Sequence, residues 1–389
     1  MSNDITIGRA YFKVKDSIVK QTLKILFLTL SVFLFTAYAD EKNIELKTSS
    51  YNIEKCNKDT YTTQDLDTYN QLIKDGEIQG YNCIGLYYMR AKDYDKAEEY
   101  FNKGKDKGSI ESYAQLGSLY SSFLNDKEKA IEYYTIAANK GHGKAAHNLG
   151  VIYDKRFNFK EAIKWYEKSF EKGDTFSLLA IGHIYRKQKK YDKAIETFEE
   201  VGKLGNSKGY DNLALFYMIE KSHLDFQKAE VYFLKAIEMG NIDSVWGLGT
   251  LYEEDLKDYD NAIKWYKKGF ELGSKESVTR LGLIYAEKFR NYENAIKWYK
   301  KGFEELNCIE CASDIGYTYQ IDLKDYENAI KWYTKAYSLG SGKAANNLAY
   351  IYNYVYKDKD TAISWYKKAA KLGYQKSINK LKELGVPYE

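Results

Sequence analysis

The residues of this 389-residue chain whose chemistry could build a site are four cysteines, four histidines and a few close-set carboxylates. Cys308-x-x-Cys311 has dithiol spacing and stands at the start of a predicted helix, where backbone N–H groups lower a thiol pKa. A zinc site would need a second such pair, and the chain has none. Cys311 also takes a slot that holds Ala or Ser elsewhere in the chain. Packing or an incidental disulfide is therefore the favoured reading over redox or metal chemistry. Cys56 and Cys83 flank the beginning of the patterned region, and their pairing in an oxidising compartment would staple it; spacing alone leaves the connectivity open. His142 and His147 are five apart, not the four that would put two ligands on one helical face, so a surface or groove role outweighs a metal site. Asp255, Asp258 and Asp260 lack the D-x-D-x-D-G-x5-E spacing of a calcium loop. No catalytic, cofactor-binding or metal-binding residue emerges.

The elements that carry these residues repeat. Ala97, Ala130, Ala162, Ala194, Ala229, Ala262, Ala295, Ala329 and Ala362 recur at intervals of 32 to 35 residues. A fixed period in this range marks an array of supersecondary units. Four residues after each Ala is an aromatic (Phe101, Tyr134, Tyr166, Phe198, Phe233, Tyr266, Tyr299, Tyr333, Tyr366), and seven after is a small residue, Val201 excepted. Offsets of 0, 4 and 7 share one helical face. Four before the Ala is Asp or Asn in every unit but one, where Lys190 stands; these are predicted N-caps. This helix, B, ends in Gly, or in Asn307, which also tolerates the left-handed conformation of a C-cap. Ahead of each B helix lies a helix A carrying [LI]-G-x-x-Y, as in Leu149-Gly150-x-x-Tyr153 and Leu248-Gly249-x-x-Tyr252, with a small residue four before the [LI]. A single Pro in the chain fits helix throughout.

The ends differ. Ile25–Ala39 is fifteen residues without a charge, preceded by Lys24 and closed by Ala37-Tyr38-Ala39. It reads as a signal peptide, being short of the roughly 20 apolar residues of a membrane span; an uncleaved anchor is the alternative. The expected organisation is therefore residues 1–39 as signal peptide or N-terminal anchor, 40–61 as polar linker and 62–389 as repeat array. Residues 62–76 form a half repeat, and Ser377 to Leu381 begin a last helix A, with Lys382 where close packing elsewhere needs Gly. The expected location is periplasmic or secreted, with no membrane span after cleavage. Of the net charge of +4, the first 39 residues supply +3, so the remainder lacks the basic excess that nucleic-acid binding requires.

The pattern A-x-x-N-L-G-x-I-Y … A-I-x-W-Y-x-K-A-x-x-x-G, clearest over Ala145–Gly173 and Ala344–Gly373, resembles the Sel-one-like repeat family, relatives of the tetratricopeptide repeat. The resemblance covers residues 77–385. The units have tetratricopeptide length but lack its inter-repeat Pro. It implies an all-α fold, a right-handed α-α superhelix (solenoid) of about nine helix pairs with N- and C-terminal capping helices. It also implies a scaffold or adaptor in the cell envelope that binds other proteins or peptides on a concave face lined by A helices. Positions two before and two after the [LI] would face that groove: His147, Val151, His183, Asp211, Thr250, Tyr317, Asn346 and Tyr350. Some cysteine-rich relatives carry a penicillin-binding or β-lactamase assignment. That chemistry uses S-x-x-K, S-D-N and K-T-G; here S-x-x-K occurs as Ser364–Lys367 inside helix B and Ser377–Lys380 in the cap, and K-T-G is absent. A β-lactamase and a purely structural envelope protein remain the alternatives.

Overall fold

The computed structural model describes Cys56 and residues 62–387; residues 1–39 and the rest of the linker lie outside the described residues. These contain twenty α-helices and no strand. They form two compact units, one ending at Asp174 and one beginning at Thr175. In the first, a half repeat, Thr63–Lys74, precedes three A/B pairs: Gln79–Arg90 with Tyr94–Asp106, Ile110–Ser122 with Lys127–Asn139, and Gly143–Lys155 with Phe159–Phe170. The second runs through six pairs, from Thr175–Lys187 with Tyr191–Lys203 to Gly342–Tyr350 with Lys359–Lys371, and closes on a lone A helix, Gln375–Glu383. Within each unit every helix packs on the next in sequence, the arrangement of a repeat solenoid.

The sequence rules have direct physical causes. Asp93, Asp126, Asn158, Asp225, Asp258, Asn291, Asp325 and Asp358 each accept a hydrogen bond from the backbone N–H three residues on, whereas Lys190 makes no such cap. The glycines that end the B helices take φ of 75° to 98°, and Asn307 takes 51°. The Gly of each [LI]-G lies flat against the aromatic of its own B helix. A β-carbon would meet the ring of Tyr134 at Gly117, Tyr166 at Gly150, Tyr266 at Gly249 and Tyr333 at Gly316, each at 2.5 or 2.6 Å. The two helices thus approach as closely as a backbone and a ring allow. Small residues serve the contact between units: at Gly269 a β-carbon would meet the Ser277 side chain of the next A helix at 2.1 Å.

Two regular features carry weaker sequence signals. Eight of the nine turns from A to B contain a residue in the left-handed region, and it is not glycine: Lys92, Asn125, Phe157, Lys189, Lys257, Arg290, Lys324 and Lys357, with φ from 50° to 61°. The second concerns length. Nine residues separate the [LI] from the N-cap position at Ile84, Leu149 and Ile181, but ten separate them at Leu248, Leu281, Ile315 and Leu348. In those four repeats helix A ends in a π turn, at Leu251–Asp255, Ile284–Lys288, Thr318–Asp322 and Ile351–Val355. A π turn absorbs one inserted residue without breaking the helix. The remaining ten-residue interval, Leu116 to Asp126, closes by the same wide bond, Leu124 donating to the Leu119 carbonyl.

At the N-terminal end Cys56 is disulfide-bonded to Cys83, with Cα atoms 4.9 Å apart, and both are buried with Tyr69 and Ile84. Cys308 and Cys311 form a second disulfide within one helical turn, also buried. Cys308 is itself the N-cap, its sulfur accepting from the Cys311 N–H. At the other end Leu381 is buried and Lys382 is exposed.

Candidate functional site

The outer edge of the B helices in the second unit is spent on holding repeats together. In the last three repeats the Trp three residues after the Ala meets an aromatic of the preceding B helix edge to face: Trp298 on Phe270 (5.7 Å between centroids), Trp332 on Phe303 (5.9 Å) and Trp365 on Tyr337 (5.1 Å). One lysine lies over both rings of each pair. Lys301 is 5.1 Å from the Trp298 centroid, Lys335 is 4.4 Å from that of Phe303 and Lys368 is 3.8 Å from that of Trp365. Lysines alternating with aromatics are therefore cation–π partners inside the array.

The A helices use their polar groups differently at each register position. Two before the [LI], side chains reach forward to the start of the next A helix. Asn82 accepts from the Ser112 hydroxyl (2.5 Å), Asp211 from Ser244 (2.6 Å) and Asn346 from Ser377 (2.9 Å), while His147 Nδ1 lies 3.0 Å from the Asp174 carboxylate. Of the eight groove residues read from the sequence, His147, Asp211 and Asn346 thus serve a polar ladder between repeats. The reason is geometric: the small residue four before the next [LI] draws that helix close enough for its hydroxyl or N-cap to be bonded. Burial pushes the Asp211 carboxyl above the usual carboxylate value.

Two after the [LI], the side chain sits over the end of the core aromatic. Thr250 is buried with its hydroxyl 3.2 Å from that of Tyr266, so it is corrected from groove surface to core. His183 stands edge-on to Phe198 at 5.1 Å. Val151 is half-buried in the wall of a cleft of about 450 Å³ with Ser118, Tyr134, Asn148 and Arg156. Tyr317 and Tyr350 project outward, 50% and 47% exposed. Tyr354 joins them at 45%, its ring 4.6 Å from that of Tyr350. Its place on a π turn hid it from a reading based on regular helical offsets.

One before the [LI], side chains reach the phenol of the preceding B helix. Asn148 donates to Tyr134 (3.1 Å). Arg280 stands beside the Tyr266 hydroxyl, which donates to the buried Glu253 (2.7 Å); Arg280 pairs with Glu253 (3.5 Å) and Glu254. Tyr333 donates to Gln320 (2.8 Å). Burial raises the phenol pKa of Tyr266, Tyr299 and Tyr333.

Among the described residues no group of three His, Cys, Asp or Glu could hold a metal ion. Ser364 is exposed on a B helix, and Ser377 is buried in the inter-repeat ladder. Neither lies in a constellation of nucleophile and base.

Tetratricopeptide-repeat profiles match residues 78–106, 110–137, 177–204, 242–272 and 310–339, and a second of that description matches 143–172. The Sel1-repeat profile matches 208–241, 277–305 and 342–374. The chain is an array of tetratricopeptide and Sel1 repeats. The first four matches are tetratricopeptide repeats and the two kinds alternate from residue 208 onward. Among solved structures, the array is similar to a protective antigen of uropathogenic Escherichia coli displaying an SLR fold. That match has 24% identity over 84% of this chain and 77% of the other, with a TM-score of 0.46. It is similar to a Sel1 repeat protein from Oxalobacter formigenes, at 23% identity over 56% and 97%, with a TM-score of 0.41. A further match is the C-terminal part of a TPR repeat-containing protein from Cytophaga hutchinsonii, at 20% over 52% and 88%, with a TM-score of 0.42. No curated protein matches the chain. Repeats of these two families typically serve as protein–protein interaction scaffolds.

Proposed function

We propose that this chain is an interaction scaffold of the cell envelope that binds protein or peptide partners along the face formed by its A helices. The observation that carries the reading is the division of labour between the two faces. The B side spends its Trp, Phe and Lys on contacts between repeats. The A side of the last repeats leaves Tyr317, Tyr350 and Tyr354 about half exposed on consecutive units. Exposed tyrosines on a rigid helical support offer large contact area at little entropic cost, and side chains set at regular steps suit an extended segment.

Export is part of the proposal. It rests on the Ile25–Ala39 segment and on the pairing of all four cysteines, which fits an oxidising compartment. The binding half is tested by capture from the native envelope with the exported chain as bait, beside a variant carrying Tyr317→Ala, Tyr350→Ala and Tyr354→Ala. Partners lost at unchanged helicity support the reading. Partners equally retained, or none after mild crosslinking, sink it. Export is tested separately by asking whether the cellular protein lacks residues 1–39 and resists thiol labelling before reduction.

A further inference from the structure

The row of phenols along the A side of the second unit gives four equivalent slots, over Tyr266, Tyr299, Tyr333 and Tyr366. Each is bounded by the π turn of its own repeat and by the side chain one before the [LI] of the next. The slot over Tyr266 is filled from within the chain, by Arg280 against Glu253 and Glu254. The slot over Tyr333 holds the amides Gln320 and Asn347. Beside Tyr366 stands Lys380.

The slot over Tyr299 departs from this rule. The position of Arg280 is taken by Asp314, while the carboxylate at the position of Glu254 is kept as Glu287. The π turn of the next repeat, Thr318–Asp322, adds Asp322. All three carboxylates act on the Tyr299 phenol and, after burial, raise its pKa. Tyr299 is 1% exposed, and its hydroxyl hydrogen-bonds to none of the described groups. Burial likewise raises the Asp314 and Asp322 carboxyls, Glu310 adding to the first and Glu287 to the second. The cations at hand stand outside: Lys343 reaches Asp314 at 3.6 Å with its side chain 57% exposed, and Lys324 acts on Asp322. Beside this slot, over Tyr333, projects the exposed ring of Tyr317.

We propose that the slot over Tyr299, walled by Glu287, Asp314 and Asp322, receives an arginine side chain of a bound peptide. That arginine takes the place Arg280 fills one repeat earlier, and its stem lies toward the Tyr317 ring. The proposal rests on the peptide-binding reading above and adds the chemistry of the ligand. A guanidinium suits the slot because it donates in several directions at once and stacks on aromatic faces.

The test uses the mature chain and a fluorescein-labelled Gly/Ser heptapeptide with one central arginine, beside the same peptide with citrulline, its neutral isostere. Fluorescence anisotropy should give at least a tenfold preference for arginine. The preference should vanish in the Asp314→Asn, Asp322→Asn double variant. It should also vanish in Asp314→Arg, which rebuilds the filled slot and should raise Tm, showing that the fold persists. Equal or absent binding of the two peptides overturns the proposal, as does a preference that survives Asp314→Arg. A calcium titration forms a further arm. A Tm rise with calcium that Asp314→Asn removes would make this a metal site and overturn the peptide reading. Envelope partners captured equally by the wild type and Asp314→Arg would refute the arginine slot alone, leaving the scaffold function standing.

Discussion

Gly282→Ala is the sharpest test of how the repeats are built. In an ordinary helix interior this change stabilises by about 1 kcal/mol, because alanine loses less backbone entropy. At Gly282 the added β-carbon would sit 2.2 Å from Cε1 and 2.5 Å from Cζ of Tyr299, where ordinary contact is 3.4 to 4 Å. The ring must move by about an ångström, and it is buried on every side. Overpacking of this kind costs about 1–3 kcal/mol, so the change should destabilise by up to about 2 kcal/mol net. Removing the ring reverses the sign. Tyr299→Ala alone should cost about 3–5 kcal/mol, and adding Gly282→Ala to it should then return about 1 kcal/mol. Urea unfolding followed by far-UV circular dichroism on the four proteins gives the cycle, with a coupling of about 1–3 kcal/mol expected. If Gly282→Ala stabilises the wild type, the glycine is not there for the ring and the register assigned to both helices is wrong.

Other outcomes rest on the same geometry. Lys257, Lys324 and Lys357 hold left-handed backbone at φ of 56° to 59°, so glycine at each should raise stability by about 0.5–1 kcal/mol, read as Tm. Cys56→Ser with Cys83→Ser opens a crosslink between residues 27 apart, worth about 3.5 kcal/mol by chain entropy, and the loss should match the effect of reductant on the wild type. Stability should fall in acid: backbone N–H donation holds the N-cap carboxyls of Asp225, Asp258 and Asp325 below their ordinary 3.8. Their contribution is present above that value and is lost as pH falls through the folded ones. Asp314 has the opposite sign, since burial raises its pKa and its ionisation opposes folding as pH rises. Asp314→Asn should therefore raise Tm at neutral pH, with the gain shrinking towards about pH 4, measured by thermal scans across that range.

The helix pairs were legible in the sequence because their determinants are local and repeat nine times. Caps, C-terminal glycines and the 0, 4, 7 face each recur at fixed offsets, and even Asn307 and Lys382 fit their slots. The groove residues were less legible because the offset from the [LI] tells which way a side chain points, not what it meets. His147, Asp211 and Asn346 meet the next A helix, and whether they do depends on the residue some 30 positions on. Thr250 meets a phenol. The π turns left a trace as the tenth residue between [LI] and cap, but that extra residue rotates the last turn of helix A, which moved Tyr354 off the expected face. The slot over Tyr299 emerges only when the four repeats are compared in space, since Asp314 differs from Arg280 by a charge at one register position.

The scaffold reading itself is met most directly by site-specific photocrosslinking in the native envelope. A photoreactive phenylalanine analogue is placed at Tyr317 or Tyr350 on the A side, and at Trp265 or Trp332 on the B side. Adducts to the same partner from both A-side positions, and none from the B side, are the predicted result. Adducts from the B side, or from no position on the A side, would contradict it.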